Sequence, residues 1–370
     1  MAALFLVLIG CAPQAPQRDW RRPQAGITPW GAPGPMVEAQ RLRVGLLLPL
    51  SGTNAPLGQA MMDAAQLALF EQADPRVEVI PRDTRSTPAG AAAAARAVLD
   101  QGVVSVAGPL TLNETAAAVG VLRQGRIPLY AFTSDEAQAG TWVWVLGITP
   151  AQQVRRIFAA ASEGGLRRFA LLAPDDAFGQ RLALALRAVA ADAGAPPPTI
   201  LLAPPRGDTS AAVQQLVASA PDAVLIGYGG PSARAAAAQI AAAFPGGAPR
   251  LLGTTLWAND TSLGSEPALV GALFPGPDAE ARRRFESAYA EAFGSRPPRL
   301  AGVAYDALAL AARTARDGAP PVGAAFQGAD GPVRVLDGGA IARGLAVFSL
   351  QPSGEPVLVQ PAPLPGSAGS

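Results

Sequence analysis

The residues able to do chemistry in this chain are few in kind. Its 370 residues carry 29 basic and 28 acidic side chains, a formal net charge of +1, one cysteine and no histidine. Every basic residue is an arginine. Without histidine there is no Ser-His-Asp triad, no imidazole base and no histidine metal ligand. Without lysine there is neither a phosphate-binding P-loop nor a Schiff base. A lone cysteine excludes internal disulfides and cysteine zinc sites. Carboxylates, hydroxyls, tyrosine and arginine remain, and these hold a solute more readily than they transform it. The chain therefore reads as a binding protein rather than an enzyme, with no cofactor and no metal. Near-neutral charge and the lack of a basic face interleaved with aromatics argue against nucleic acid as a partner.

The polar residues recur in turns that follow apolar runs. In the first half these are Ser51-Gly52, Asp83-Thr84, Leu110-Thr111 and Phe132-Thr133-Ser134; in the second, Asp175-Asp176-Ala177-Phe178, Tyr228-Gly229-Gly230 and Thr254-Thr255. Ligands bind beyond the carboxyl ends of strands in open parallel sheets. The candidate ligand-binding set is accordingly Ser51, Gly52, Asp83, Leu110, Thr111, Phe132, Thr133, Ser134, Asp176, Phe178, Tyr228, Thr254 and Thr255. Each has a structural counterpart. Ser51 and Thr53 could satisfy backbone donors at a helix start. Asp175-Asp176 could be an acid–base pair, but adjacent aspartates before a helix usually cap it. Gly227-Tyr228-Gly229-Gly230 suits a helix start and is no GxGxxG fingerprint. Arg282-Arg283-Arg284 reads as a solvated face, with a docking patch as the sharper alternative.

The elements that must position these turns alternate between short apolar runs and helical patterns. Arg43–Leu50, Val77–Pro81, Val103–Ala107 and Ile127–Ala131 are strand candidates, as are Phe169–Ala173, Thr199–Ala203, Ala223–Gly227 and Arg250–Gly253. Met61, Ala64, Ala65, Ala68 and Leu69 follow the helical i, i+3, i+4, i+7, i+8 spacing. Strands buried on both faces with helices between them imply parallel sheets and right-handed crossovers. The fold class is thus α/β, with two doubly wound parallel-sheet lobes joined by a hinge. The two series also open alike: an apolar run, a polar turn, then Leu57-Gly58-Gln59 in one and Phe178-Gly179-Gln180 in the other.

Lobe one is expected over 41–146 plus 275–318, and lobe two over 147–274 plus 319–351. Thr141–Leu146, whose Trp142 and Trp144 share a face, is assigned to the crossover between them. The helices around Phe285 and Tyr305 are expected to return the chain to the first lobe. Pro332–Leu336 and Ala346–Leu350 are expected to form a terminal hairpin on the second lobe, turning at Asp337-Gly338-Gly339. Residues 12–40 and 352–370, rich in Pro, Gly and Gln, read as a disordered tether and tail.

Residues 1–11 end in Leu8-Ile9-Gly10-Cys11, which resembles a bacterial lipobox. Ten helical residues span only about 15 Å, so a processed signal with a lipidated Cys11 fits better than a membrane span. Ala12 stands where an inner-membrane retention signal would be Asp. The expected location is the periplasmic side of the envelope, lipid-anchored, on the outer membrane.

Several strings resemble the type 1 periplasmic binding fold of leucine-binding-protein-like proteins. They are Val44–Gly52 with Leu57–Gln59, Ala107–Leu110, Ala304–Ala307, and Gly331–Arg334 with Asp337–Gly339. Within that superfamily Ser51–Gly58, Pro81–Thr84 and Pro174–Gly179 look most like penicillin-binding protein activators, lipoproteins that dock on peptidoglycan synthases. The extra N-terminal helical-repeat domain that the best-known activators carry is not expected here. The resemblance implies a regulator acting through a peptidoglycan synthase, or alternatively the solute receptor of an ABC importer, facing a permease. Amino-acid-binding members hold the α-carboxylate with a hydroxyl and a Thr, and the ammonium with a Glu. The matching positions here fall near Leu112 with Thr111 adjacent, near Ser134-Asp135, and near Thr255. That set is poorly kept, so either the ligand differs or there is none.

Overall fold

The computed structural model describes residues 41–205 and 208–366. The expectations for Cys11, the lipobox and the tether to Gln40 lie outside the described residues, as do the last four of the tail.

The first lobe grows from β1 (Leu42–Leu48). Alternate residues of a strand face opposite sides of a sheet. Val44, Leu46 and Leu48 enter one core layer, and Leu47 enters the other. Both faces must therefore be covered. The chain does this with α1 (Ala55–Gln72), β2 (Val77–Asp83), α2 (Pro88–Leu99), β3 (Ser105–Ala107), α3 (Leu112–Leu122), β4 (Leu129–Ala131) and β5 (Val143–Val145). The sheet runs β2-β1-β3-β4-β5, all parallel. Residues of α2 and α3 pack on Leu47, Val106 and Leu129, and Met61 and Ala65 of α1 cover the opposite face. The Thr141–Leu146 segment forms the edge strand β5 rather than the crossover. Leu129 N–H donates to Trp142 O at 2.8 Å and Leu146 N–H to Ala131 O at 2.9 Å, bonds that a free connection would leave unmade. Trp144 stacks on Tyr130 at 5.5 Å between ring centroids.

The second lobe contains α4 (Pro150–Glu163), β6 (Phe169–Pro174), α5 (Ala177–Asp192), β7 (Thr199–Ala203), α6 (Ser210–Ser219), β8 (Ala223–Ile226), α7 (Gly230–Ala243), β9 (Arg250–Leu252) and β10 (Leu273–Gly276). Here α4 and α5 pack against Leu171, Ala173 and Leu225, while α6 and α7 pack against Leu172, Val224 and Ile226. The chain then returns to lobe one through α8 (Ala279–Phe293) and α9 (Ala301–Asp317). Ala304, Ala307 and Ala311 of α9 lie in the core layer under β1, and Phe285 and Tyr289 of α8 pack with Ala64 and Leu67 of α1.

The remaining strands depart from expectation. The turn at Asp337–Gly339 does follow a strand, β12 (Gly331–Val335), with Gly338 and Gly339 at φ of 68° and 85°. It leads, however, into β13 (Ile341–Arg343), which pairs with β12; β11 (Ala325–Gly328) lies on the other side. Val333, Val335 and Ile341 of this small antiparallel sheet face the lobe-one core. The expected hairpin partner is instead β14 (Ala346–Ser349), which joins β10 in lobe two. Period-two alternation identifies a strand; it does not say which sheet buries its apolar face. The tail is corrected too, because Val357–Gln360 forms β15 and pairs with β14. The second sheet therefore runs β15-β14-β10-β9-β8-β6-β7, with only its β14 and β15 pairings antiparallel. Among the described residues the named strands and helices pass from lobe to lobe three times, at 146–149, 277–278 and 344–345. No helix among the described residues is long and apolar enough to cross a membrane.

Candidate functional site

The carboxyl ends of the two parallel sheets face a cleft of about 580 Å³, walled by both lobes. Lobe one contributes the loops after β3 and β4, the first turns of α1 and α3, and the segment entering α9. Lobe two contributes the first turns of α4 and α5 and the turn at Thr255. The loop after β3 is seated by Gly108. At φ +94° a Cβ there would sit 2.1 Å from Leu47 O, so only glycine lets this loop lie against β1. Phe132 N–H then donates to Pro109 O at 3.0 Å, tying the loops after β3 and β4 together.

The internal echo of the sequence has a physical basis here. Gly58 and Gly179 each sit in the first turn of a helix, 2.1 and 1.9 Å (as an added Cβ would measure) from the carbonyl oxygens of Pro49 and Pro174. A side chain at either position would push the helix off the end of its strand. The residue before each glycine, Leu57 in one lobe and Phe178 in the other, is a cleft wall. Gly179→Ala is expected to lose about 1–3 kcal/mol of stability and to displace Phe178, measurable as a lower melting temperature.

Of the candidate set, the structure brings Leu110, Thr111, Phe132, Thr133, Ser134, Phe178 and Thr255 to the cleft. It does not bring the other six. Ser51 and Asp83 bind one another: the Asp83 carboxylate accepts from Ser51 Oγ at 2.6 Å and from the N–H groups of Leu50, Ser51 and Arg85. Gly52, at φ 82°, belongs to the same knot of loops. Those hydrogen bonds hold the Asp83 carboxyl below its usual pKa, against the opposing effect of burial. Asp176 caps α5 by accepting from Gly179 N–H at 2.9 Å. Tyr228 is buried and its hydroxyl donates to Ala203 O and Pro204 O. Thr254 is buried and accepts from Leu256 N–H. Thr111, though in the wall, spends its hydroxyl on a capping box with Glu114.

Of the charged residues of the cleft, the sequence points only to Asp135, through the resemblance, and not to its pairing. Asp135, following β4, forms an ion pair with Arg181 of α5, joining lobe to lobe; Asp135 is nearly buried while Arg181 is about one-third exposed. Arg299, in the loop before α9, donates to Thr255 O at 3.2 Å across the same gap. Asp330 is paired with Arg282 at 3.1 Å, and Arg282 also binds Glu286 at 2.7 Å. Arg282 is therefore an interior brace and not part of a solvated face. Gln153 of α4 accepts from Thr255 N–H at 3.0 Å. Strand-end logic locates loops, but Arg181, Gln153 and Arg299 project from a helix or an interhelical loop, where that logic gives no signal.

The hinge is braced beneath the cleft by a second charge pair. Asp306 of α9 and Arg343 of β13 are 1% and 2% exposed. Asp306 accepts from Ala329 N–H at 2.7 Å, and Arg343 Nη2 lies 3.4 Å from its carboxylate while donating to Leu146 O at 3.0 Å. Burial pushes the Asp306 carboxyl up to about 6, although Arg343 and the Ala329 N–H pull it down. Leu146 and Arg343 flank two of the three crossovers, so this pair ties those strands at the base of the hinge.

Among the described residues no group of His, Cys, Asp or Glu is arranged to hold a metal. The site can enclose a small solute between apolar walls and present arginine and backbone groups to it.

No curated protein sequence matches the chain. Solved structures do. A putative branched-chain amino acid ABC transporter protein from Rhodospirillum rubrum is 21% identical, over 86% of this chain and 100% of that one, with a TM-score of 0.73. A leucine-binding protein from Thermotoga maritima MSB8 is 19% identical over 87% and 98%, with a TM-score of 0.62. An ABC transporter solute-binding protein from Rhodopseudomonas palustris BisB5, in complex with 3,4-dihydroxybenzoic acid, is 20% identical over 88% and 99%, with a TM-score of 0.62. A family model described as periplasmic binding protein matches residues 41–330. With that match over most of its length, and with two parallel-sheet lobes around a common cleft, the chain belongs to the periplasmic binding protein family, on the leucine-binding-protein-like type 1 fold.

Proposed function

We propose that this protein is the solute receptor of an ABC importer, taking up an amino acid or a related small organic solute. The observation that carries this reading is the cleft itself. Its volume of about 580 Å³ lies within the range of small-molecule sites, and contacts that span the lobes would tighten as a solute is enclosed. The similar structures support it: one is named for a branched-chain amino acid ABC transporter, one as a leucine-binding protein, and one as an ABC transporter solute-binding protein in complex with 3,4-dihydroxybenzoic acid.

The activator-like role ranks second. The strings that resemble penicillin-binding protein activators are spent on architecture: Ser51 and Asp83 knit two loops, Asp176 caps a helix, and Gly58 and Gly179 permit close packing. Their similarity is thus accounted for by the fold. An anchor through Cys11 at the outer membrane is compatible with either role, and lipid labelling lost in Cys11→Ser would support it.

The test is a thermal-shift screen against amino acids, small carboxylates and peptidoglycan fragments. A solute at a hundredfold excess over its Kd stabilises by about 2.7 kcal/mol. A shift with a small solute supports the receptor role. Flat melting across the solutes, with retention on a peptidoglycan synthase column, would favour the regulator.

A further inference from the structure

Four ionisable side chains line the cleft among the described residues: Asp135, Arg181, Arg299 and Asp330. Both acids are already engaged. Asp135 meets Arg181 through both carboxylate oxygens, and one of these also accepts from Ala137 N–H at 3.0 Å. Asp330 is buried and paired with Arg282. The neutral acceptor of the back wall is engaged as well, since Gln153 Oε1 takes the Thr255 N–H.

Arg299 differs. Its one hydrogen-bond acceptor is a backbone carbonyl, Thr255 O, and no carboxylate pairs with it among the described residues. It is solvent-accessible. Its backbone is fixed, because Arg282 Nη1 donates to Arg299 O at 3.0 Å and Ala301 N–H closes a turn onto Pro298 O. A guanidinium has five donors in a planar fork suited to a carboxylate. The Asp330 carboxylate attracts Arg299 through space, but the direct bond to that acid is made by Arg282, which leaves the Arg299 guanidinium with donors to spare. The same cleft is lined by Phe132, Phe178, Leu57, Leu300 and Val303.

We propose that the cleft selects small organic acids with an apolar body and no α-ammonium group, with Arg299 holding the carboxylate. This rests on the receptor reading above and narrows it. An amino acid entering the cleft would bring an ammonium that finds no free carboxylate. Stripping that charge of water without a partner is costly. Using Asp135 for it would break the bond between the lobes and leave Arg181 unpaired.

The test is isothermal titration calorimetry of the full chain at pH 7.5 with matched sets. Leucine is compared with 4-methylpentanoate and its amide, and phenylalanine with 3-phenylpropionate and its amide. Unbranched acids of four to eight carbons complete the panel. The expected result is that an acid binds about 10- to 100-fold tighter than its amino acid. Arg299→Gln, checked for an unchanged melting temperature, should bring the acid down to its amide. Equal or tighter binding of the amino acid overturns this inference while leaving the receptor reading in place. Heats absent across the whole panel overturn both. A strong preference for the acid that survives Arg299→Gln overturns the assignment of Arg299.

Discussion

Arg343→Met is expected to cost about 3–5 kcal/mol of stability at neutral pH, the penalty for leaving a buried carboxylate without its cation. Both partners are almost wholly buried, and methionine restores much of the volume but none of the charge. The loss should depend on pH with a definite sign. The Asp306 carboxyl already sits above its ordinary value, at about 6 against 3.8, because burial outweighs Arg343 and the Ala329 N–H, with Asp330 adding a further upward push. A carboxyl whose pKa is raised on folding contributes stability that is full below the unfolded value and lost as pH rises through the folded one. In the wild type that decline spans roughly pH 4 to 6. In Arg343→Met it should steepen and extend to higher pH, so that acidification restores much of the lost stability. Adding Asp306→Asn should abolish the slope and recover most of the deficit at neutral pH. Chemical denaturation from pH 5 to 8 checks all three variants. A loss in Arg343→Met that is the same at pH 5 and pH 8 would show that packing, not charge, is what Arg343 supplies.

Arg181→Met should act on binding rather than on folding. With the lobes together, Asp135 is nearly buried and Arg181 neutralises it; with the lobes apart, water can solvate the carboxylate. The cost of losing the arginine therefore falls on the closed arrangement. Removing one partner of a buried charge pair costs several kcal/mol, and the partial exposure of Arg181 reduces that figure. The expected outcome is a Kd raised about 10- to 100-fold with little change in melting temperature without solute. Combining it with Asp135→Asn should return the affinity to within about threefold of wild type, as mutual dependence of the pair requires. Titration calorimetry of the single and double variants measures this. Additive losses in the double variant would mean that the two residues contact the solute separately.

How much of this was legible in the sequence follows from what each signal reports. The buried strands Phe169–Pro174 and Leu42–Leu48 announce themselves because both faces are apolar, and the two doubly wound lobes follow from their alternation with helices. The Leu57-Gly58 and Phe178-Gly179 echo pointed to two similar lobe openings, and the structure adds why: a helix must touch a strand end and carry a wall residue. The placement of β12 and β14 was not legible, because Val333 and Val347 have the same local pattern and different cores. The tail strand Val357–Gln360 was hidden by flanking prolines. In the site, hydroxyls next to strand ends were easy to propose, yet several serve the backbone. Arg181 and Arg299 were the harder residues, and so was the partner of Asp135, since pairing across the cleft is a property of two lobes meeting and leaves no spacing in either segment.

The central claim is that a small solute is held between two lobes that close on it. Residues 41–370 contain no cysteine, so two spin labels can be placed without interference once Cys11→Ser is made. Gln59→Cys on α1 and Gln180→Cys on α5 are exposed and belong to opposite lobes. The interlabel distance distribution should shift to shorter values and narrow when a saturating solute, identified by calorimetry, is added. A distribution unchanged by a solute that demonstrably binds would contradict the claim and place that solute outside the cleft.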